Sequence, residues 1–154
     1  MSTLCIVPCG KTKIWDKCPE IGPQKAKDVY IGSFATRCRE YAELLYPDSW
    51  VILSAKHGFL FPDDMVPGSY NVSFNNKKTH PITVDELKKQ AKDKKLYGFD
   101  EIVALEGRNY TQIVKQVFES NEIIEPLRDC RGIGYMIQRL NNAISSYNSA
   151  CEQN

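Results

Sequence analysis

Lys56 and His57 follow directly on an apolar run, Val51, Ile52 and Leu53, within the stretch WVILSAKHGFL at 50–60. An imidazole changes charge near neutral pH and can act as acid, base or hydrogen-bond donor, and a neighbouring lysine can stabilise a departing anion. A loop histidine bonded to backbone is the plainer reading of His57. Asp63 and Asp64 come next, then Tyr70 and Asn71. The two acids could stabilise developing positive charge or orient water, and they equally suit a turn or cap after Pro62. Glu106 is the other carboxylate of interest. It leaves an apolar strand, where burial would raise its pKa, or it opens a helix and complements the dipole. Phe59 and Phe61 are candidate stacking surfaces.

The remaining candidates lie in short stretches of small and charged residues. PCGKTK at 8–13 offers Cys9, Gly10, Lys11 and Lys13, and SAKHG at 54–58 opens on Ser54. EGRNY at 106–110 offers Arg108 and Tyr110, and beyond Pro126 come Arg128, Arg131 and a helix start carrying Gly132 and Gly134. Glycine lets backbone approach a ligand, and lysine or arginine suits phosphate or carboxylate. A helix start presents free N–H groups to an anion. GKTK lacks the GxxxxGK[ST] spacing of a phosphate-binding loop, and GIG lacks the GxGxxG of a dinucleotide site. Solvated turns would account for any one of these stretches taken alone.

What makes them a pattern is the elements that carry them. Apolar runs predict strands at 4–7, 50–53 and 101–105, with a fourth near Ile123 and Ile124. Helical spacing predicts helices over 32–46, from Thr83 to Gly98, over 109–120 and over 133–147. Residues 54–81 read as a long polar segment, with a short extended piece at 70–74. Strands alternating with helices imply βαβ units, hence an α/β domain of three layers with a mostly parallel sheet of about four or five strands. Ligands bind such sheets outside the carboxyl ends of the strands, which is where all four stretches fall.

The chain has 154 residues, enough for one domain (1–154) with a polar tail at about 148–154. A formal charge of +1 gives no overall attraction to nucleic acid, so any such binding needs a local patch. The lysines at 88, 89, 92, 94 and 95 are one candidate patch, diluted by acids at 85, 86 and 93. No run approaches a membrane span, and the N-terminus lacks the basic segment of a signal peptide, so a cytoplasmic protein is expected. Six cysteines without a secretion signal read as reduced thiols, with Cys5 and Cys38 as small core residues. Their spacing calls for no metal, and the chemistry considered below calls for no cofactor.

The stretch LSAKHGFLFPDD, followed by Tyr70, resembles a motif of small α/β proteins related to YaaA-type peroxide-stress proteins. It also resembles a domain attached to some tRNA-guanine transglycosylase relatives. Those families are similar in fold to uracil-DNA glycosylases. Cys9 to Lys13, the unit of Tyr30, Ile31, Gly32 and Phe34, the Glu106-Gly107 turn before Tyr110, and Pro126-Leu127 before Gly134 match as well. Tyr70 here follows Pro67, Gly68 and Ser69, two residues more than the family spacing. The resemblance implies a uracil-DNA-glycosylase-like fold and adds Tyr30 and Gly32 to the candidate site.

These readings together point to an enzyme that cleaves or exchanges an N-glycosidic bond of a nucleoside, nucleotide or nucleic-acid base. Asp64 or Glu106 would stabilise the oxocarbenium-like sugar and activate water, and His57 or Lys56 would assist the departing base. Phe59 and Tyr70 would hold the base, with phosphates near Lys11, Lys13, Arg108 and the Gly132–Gly134 helix start. Two rivals remain: a binding module that holds a nucleotide or modified base without turnover, and a nucleic-acid-binding protein using the lysine-rich helix.

Overall fold

The computed structural model describes residues 2–106 and 108–152; for Arg108 and Glu152 it describes the backbone alone. In chain order the elements are β1 (Thr3–Pro8), α1 (Ile14–Lys17), β2 (Gln24–Lys25), α2 (Ala26–Val29), α3 (Ser33–Leu45), β3 (Trp50–Ser54), β4 (Gly58–Leu60) and β5 (Met65–Val66). Then follow α4 (Val84–Asp93), β6 (Glu101–Ala104), α5 (Arg108–Val117), β7 (Glu122–Ile124) and α6 (Ile133–Glu152). The main sheet has five strands in the order β4-β3-β1-β6-β7. β3, β1, β6 and β7 run parallel, and β4 returns antiparallel on the edge of β3.

The pleat divides the core into two layers. Leu4 and Ile6 of β1 point to one face with Val51, Leu53, Ile102 and Ala104, under α4 and α5. Cys5 and Val7 point to the other with Trp50, Ile52 and Val103, under α3 and α6. Strands buried on both faces read as continuous apolar runs, which is why they were legible. α3 buries Ala35, Cys38, Tyr41 and Ala42, one helical face. α4 starts at a capping box: Thr83 Oγ1 accepts from Glu86 N at 3.2 Å, and Glu86 Oε2 accepts from Thr83 N at 3.1 Å. Such a cap contributes about 1 kcal/mol.

This is the expected mixed, mostly parallel sheet with helices on both faces. Several short elements differ from expectation. β4, the β2–β5 ribbon, α1 and α2 were not foreseen, because two to four residues carry no readable period. The extended piece expected at 70–74 is reduced to an isolated bridge between Ser73 and Asn76. α6, expected over 133–147, continues to Glu152 through most of the polar tail, while Gln153 and Asn154 lie outside the described residues. Among the described residues, no helix is long and apolar enough to cross a membrane.

The antiparallel return of β4 has the largest effect on the site. A turn at 55–57 reverses the chain, and Leu60 pairs back with Ile52. Residues 61–64 are thereby carried to the edge opposite the carboxyl ends of the parallel strands. There Asp64 Oδ2 accepts from Phe61 N at 2.8 Å, Lys94 Nζ stands 3.9 Å away, and the Asp64 carbonyl accepts from Ala26 N.

Candidate functional site

β1 lies in the middle of the sheet. The chain leaving it proceeds through α3 to β3 on one side, while the chain leaving β6 proceeds through α5 to β7 on the other. The two connections diverge, so a crevice must open between the carboxyl ends of β1 and β6. A cavity of about 520 Å³ occupies that place. Cys9, Gly10, Lys11 and Lys13 line it from the β1 loop, and Glu106, Asn109 and Tyr110 line it from the β6 side. The long segment after β5 closes it with Tyr70, Asn71, Val72, Ser73 and Asn75.

Each wall is held by specific bonds. Ser54 is fully buried at the end of β3. Its Oγ accepts from Lys56 N at 3.2 Å and His57 N at 3.0 Å. Both acceptor positions are then filled, so its own hydrogen goes to Tyr70 Oη, 2.7 Å away. Tyr70 Oη also pairs with Tyr30 Oη. The His57 ring meets Tyr70 edge-on at 5.2 Å between centroids, and Lys56 Nζ lies 5.7 Å from the Tyr70 centroid. Tyr70 is thus fixed from behind by the β3 loop where it lines the cavity. Opposite, Asn109 donates to Asn75 Oδ1, and Phe74 packs edge-on against Tyr110 at 5.2 Å. These contacts pin the closing segment to the start of α5.

The electrostatics favour neutral hydroxyls and a neutral thiol. Cys9 Sγ and Tyr110 Oη are 2.6 Å apart. Burial pushes the Cys9 thiol up despite the Tyr110 bond and the nearby Lys13 charge, so it is not an activated thiolate. Burial also raises Tyr30 and Tyr110, and raises Tyr70 to about 12. Lys13 is lowered by burial, against the opposing pull of Cys9 and Asp16. His57 is lowered by burial and by Lys56.

The expected residues therefore divide. Cys9, Gly10, Lys11, Lys13, Tyr70, Asn71, Glu106 and Tyr110 meet on the cavity. Ser54, Tyr30, His57 and Lys56 support its Tyr70 wall, and Gly32 precedes α3 beside Thr12. Three expected placements are corrected. Asp63 and Asp64 sit at the far edge, Asp63 against Lys25 and Lys27, because β4 reverses the chain. Phe59 is a core residue, 1% exposed and packed edge-on against Phe118 beneath α4. Gly132 and Gly134 start α6 outside this cavity; the neighbouring Arg131 and Met136 line a second cavity of about 700 Å³, which shares Glu106 as a wall. Gly107 lies outside the described residues, as does the Arg108 side chain.

A model for a family of unknown function (DUF6884) matches residues 4–142. The chain belongs to this family. It is 46% identical over 145 residues to the uncharacterized protein YfjM of Bacillus subtilis (strain 168), covering 94% of this chain and 96% of that one. It also overlays on AF0587, a solved structure of a protein of unknown function, with a TM-score of 0.44, 16% identity and 92% of this chain covered. The chain spans 44% of that protein's length.

Four lining residues of this DUF6884 member escaped the sequence reading: Val72, Ser73, Asn75 and Asn109. The last two bring amides, which can both donate to and accept from the edge of a planar polar ligand. Asn109 sits within a stretch already singled out. Val72, Ser73 and Asn75 lie in a polar segment with no spacing to mark them. Among the described residues, no three His, Cys, Asp or Glu side chains gather as metal ligands. All six cysteines are free.

Proposed function

We propose that this DUF6884 protein cleaves or exchanges the N-glycosidic bond of a nucleoside, nucleotide or nucleic-acid base in the β1/β6 cavity. The observation that carries the reading is the grouping on one cavity of the Glu106 carboxylate, the Tyr70 and Tyr110 rings and the amides of Asn71, Asn75 and Asn109. Breaking the bond leaves positive charge on the sugar, which a carboxylate stabilises while it orients or deprotonates water. Glu106 takes this role in place of Asp64. The departing base gains electron density and needs donors. The Cys9 thiol and Tyr110 hydroxyl stay protonated at neutral pH; one donates to the other, so the pair keeps one hydrogen to offer the base, in place of His57 and Lys56. The two tyrosine rings face the base and the amides read its edge.

This reading places the fold near the uracil-DNA-glycosylase-like and YaaA-type proteins that the LSAKHGFLFPDD stretch resembles. A parallel-centred sheet with its cavity at the carboxyl ends of β1 and β6 supports that placement. Six free cysteines suit a reducing compartment, so the protein is assigned to the cytoplasm. Reading the lysine-rich helix as a nucleic-acid surface has less support: Lys88 faces Glu119, and Lys94 faces Asp64, away from the cavity.

The test is a calorimetric screen of nucleosides, nucleotides and short oligonucleotides, followed by chromatography for free base. Binding with base release supports the enzyme and names its substrate. Intact ligand after long incubation replaces it with the binding module.

A further inference from the structure

We propose that Lys13 recognises a terminal phosphate, so that the substrate is a phosphomonoester nucleotide rather than a nucleoside or an internal nucleotide of a chain. The inference rests on the N-glycosidic reading above and narrows its substrate class.

Lys13 is 5% exposed, and among the described residues it is the charged member of a buried polar set otherwise made of Ser54 and Thr111. Its Nζ donates to the Lys11 carbonyl at 3.2 Å and lies 4.5 Å from the Tyr70 ring centroid. A carbonyl and a ring face are partial counter-charges only. Among the described residues, no carboxylate stands at ion-pair distance from this ammonium. Asp16 accepts from the Lys13 backbone N–H at 2.8 Å instead. A buried cation left in this condition is costly unless a ligand completes it. Lys13 lines the 520 Å³ cavity, so the missing anion has a place to sit. Lys11 lines the same wall, and Gly10 between Cys9 and Lys11 adds no side chain to obstruct it.

The burial also selects the kind of phosphate. A phosphodiester has chain on both sides and needs a groove open at both ends, with its cations on the surface. A cation withdrawn into a wall is reached by a group that ends a molecule. A monoester dianion ends the chain and brings more charge to the ammonium. A free mononucleotide and the phosphorylated end of an oligonucleotide share this chemistry.

The experiment titrates wild type and Lys13→Met with inorganic phosphate, a nucleoside, its 5′-monophosphate, and an oligonucleotide with and without a 5′-phosphate. Methionine keeps the length and removes the charge. Wild type should bind the monophosphate about tenfold or more tighter than the nucleoside, the size of one charge-assisted contact, and Lys13→Met should lose that preference. The two oligonucleotides separate the sources of the monoester. Equal binding of nucleoside and monophosphate overturns the role of Lys13 and leaves the N-glycosidic reading standing. So does an unphosphorylated oligonucleotide that binds as tightly as the monophosphate. Lys13-dependent binding of inorganic phosphate without binding of any nucleoside or nucleotide keeps the anion role and removes the nucleobase reading. Binding of none of them removes both. If Lys13→Met does not fold, equal wild-type binding of nucleoside and monophosphate still overturns the role of Lys13, and Lys11→Met, folded and keeping the preference for the monophosphate, supports it.

Discussion

Replacing Gly58 by alanine should destabilise the protein well beyond a surface substitution, and the structure shows why. Gly58 opens β4 with φ +77, a conformation that costs a residue with a Cβ about 1 kcal/mol. An added Cβ would stand 2.0 Å from Gln90 Oε1. Gln90 is not a free side chain that can swing away. Its Oε1 accepts from Phe59 N at 2.8 Å, and its Nε2 donates to the His57 carbonyl at 3.0 Å. Displacing it removes two bonds worth about 1 kcal/mol each. The sum is about 3 kcal/mol, which lowers Tm by roughly 6–12 °C in a protein of this size. Gln90→Ala alone should cost about 2 kcal/mol, since it loses the bonds without the strain. The informative measurement is the double-mutant cycle by denaturant unfolding. Once Gln90 is truncated, Gly58→Ala has nothing left to displace and should cost about 1 kcal/mol more. The reasoning is refuted if Gly58→Ala costs the same in both backgrounds, or costs nothing.

Two further predictions concern the Tyr70 wall. Tyr70→Phe leaves the buried hydroxyls of Ser54 and Tyr30 without their shared partner, and should cost about 1–3 kcal/mol in thermal unfolding. An unchanged Tm would remove that network from the account. His57 gives a pH signature. Its pKa is lowered by burial and by Lys56, and its Nε2 is buried with no hydrogen-bond partner among the described residues. The unfolded chain therefore takes up the proton first as pH falls. The contribution of His57 is fully present above the usual imidazole value near 6.5, and is lost as pH falls through that value toward the lowered one. Chemical denaturation from pH 7.5 to 5.5 should show wild type losing more stability than His57→Gln. Parallel losses would contradict the burial of a neutral imidazole.

Much of the architecture was legible because burial on both faces leaves a mark. The runs LCIV, WVIL and EIVAL have no polar alternation, and each is a strand covered by helices on two sides. The four post-strand stretches were also legible, and two of them, at 8–13 and 106–110, do line one cavity. The sequence could not show that the third works from behind. Ser54 looks like an ordinary turn residue until its two acceptor positions are seen to be filled, which directs its hydrogen to Tyr70. Asp64 failed as a candidate for a related reason. Composition places it after a strand, but a turn at 55–57 reverses the chain, and sheet direction is a tertiary property that no local pattern encodes. Gly58, with its positive φ beside Gln90, is the residue that carried a trace of that reversal. The closing segment at 70–75 reads in the sequence as polar chain with a short extended piece at 70–74, because its order comes from distant partners, Tyr30, Ser54 and Asn109.

If Glu106 drives cleavage or exchange of an N-glycosidic bond in the β1/β6 cavity, as proposed, base release requires its carboxylate. The most direct measurement is chromatographic detection of free base from wild type and from Glu106→Gln, each shown to be folded and to bind the same ligand. Wild type should release free base, and the variant should lose at least about 100-fold, the usual reach of a general acid–base group. Equal base release by the two proteins, or intact ligand from both, would contradict that role.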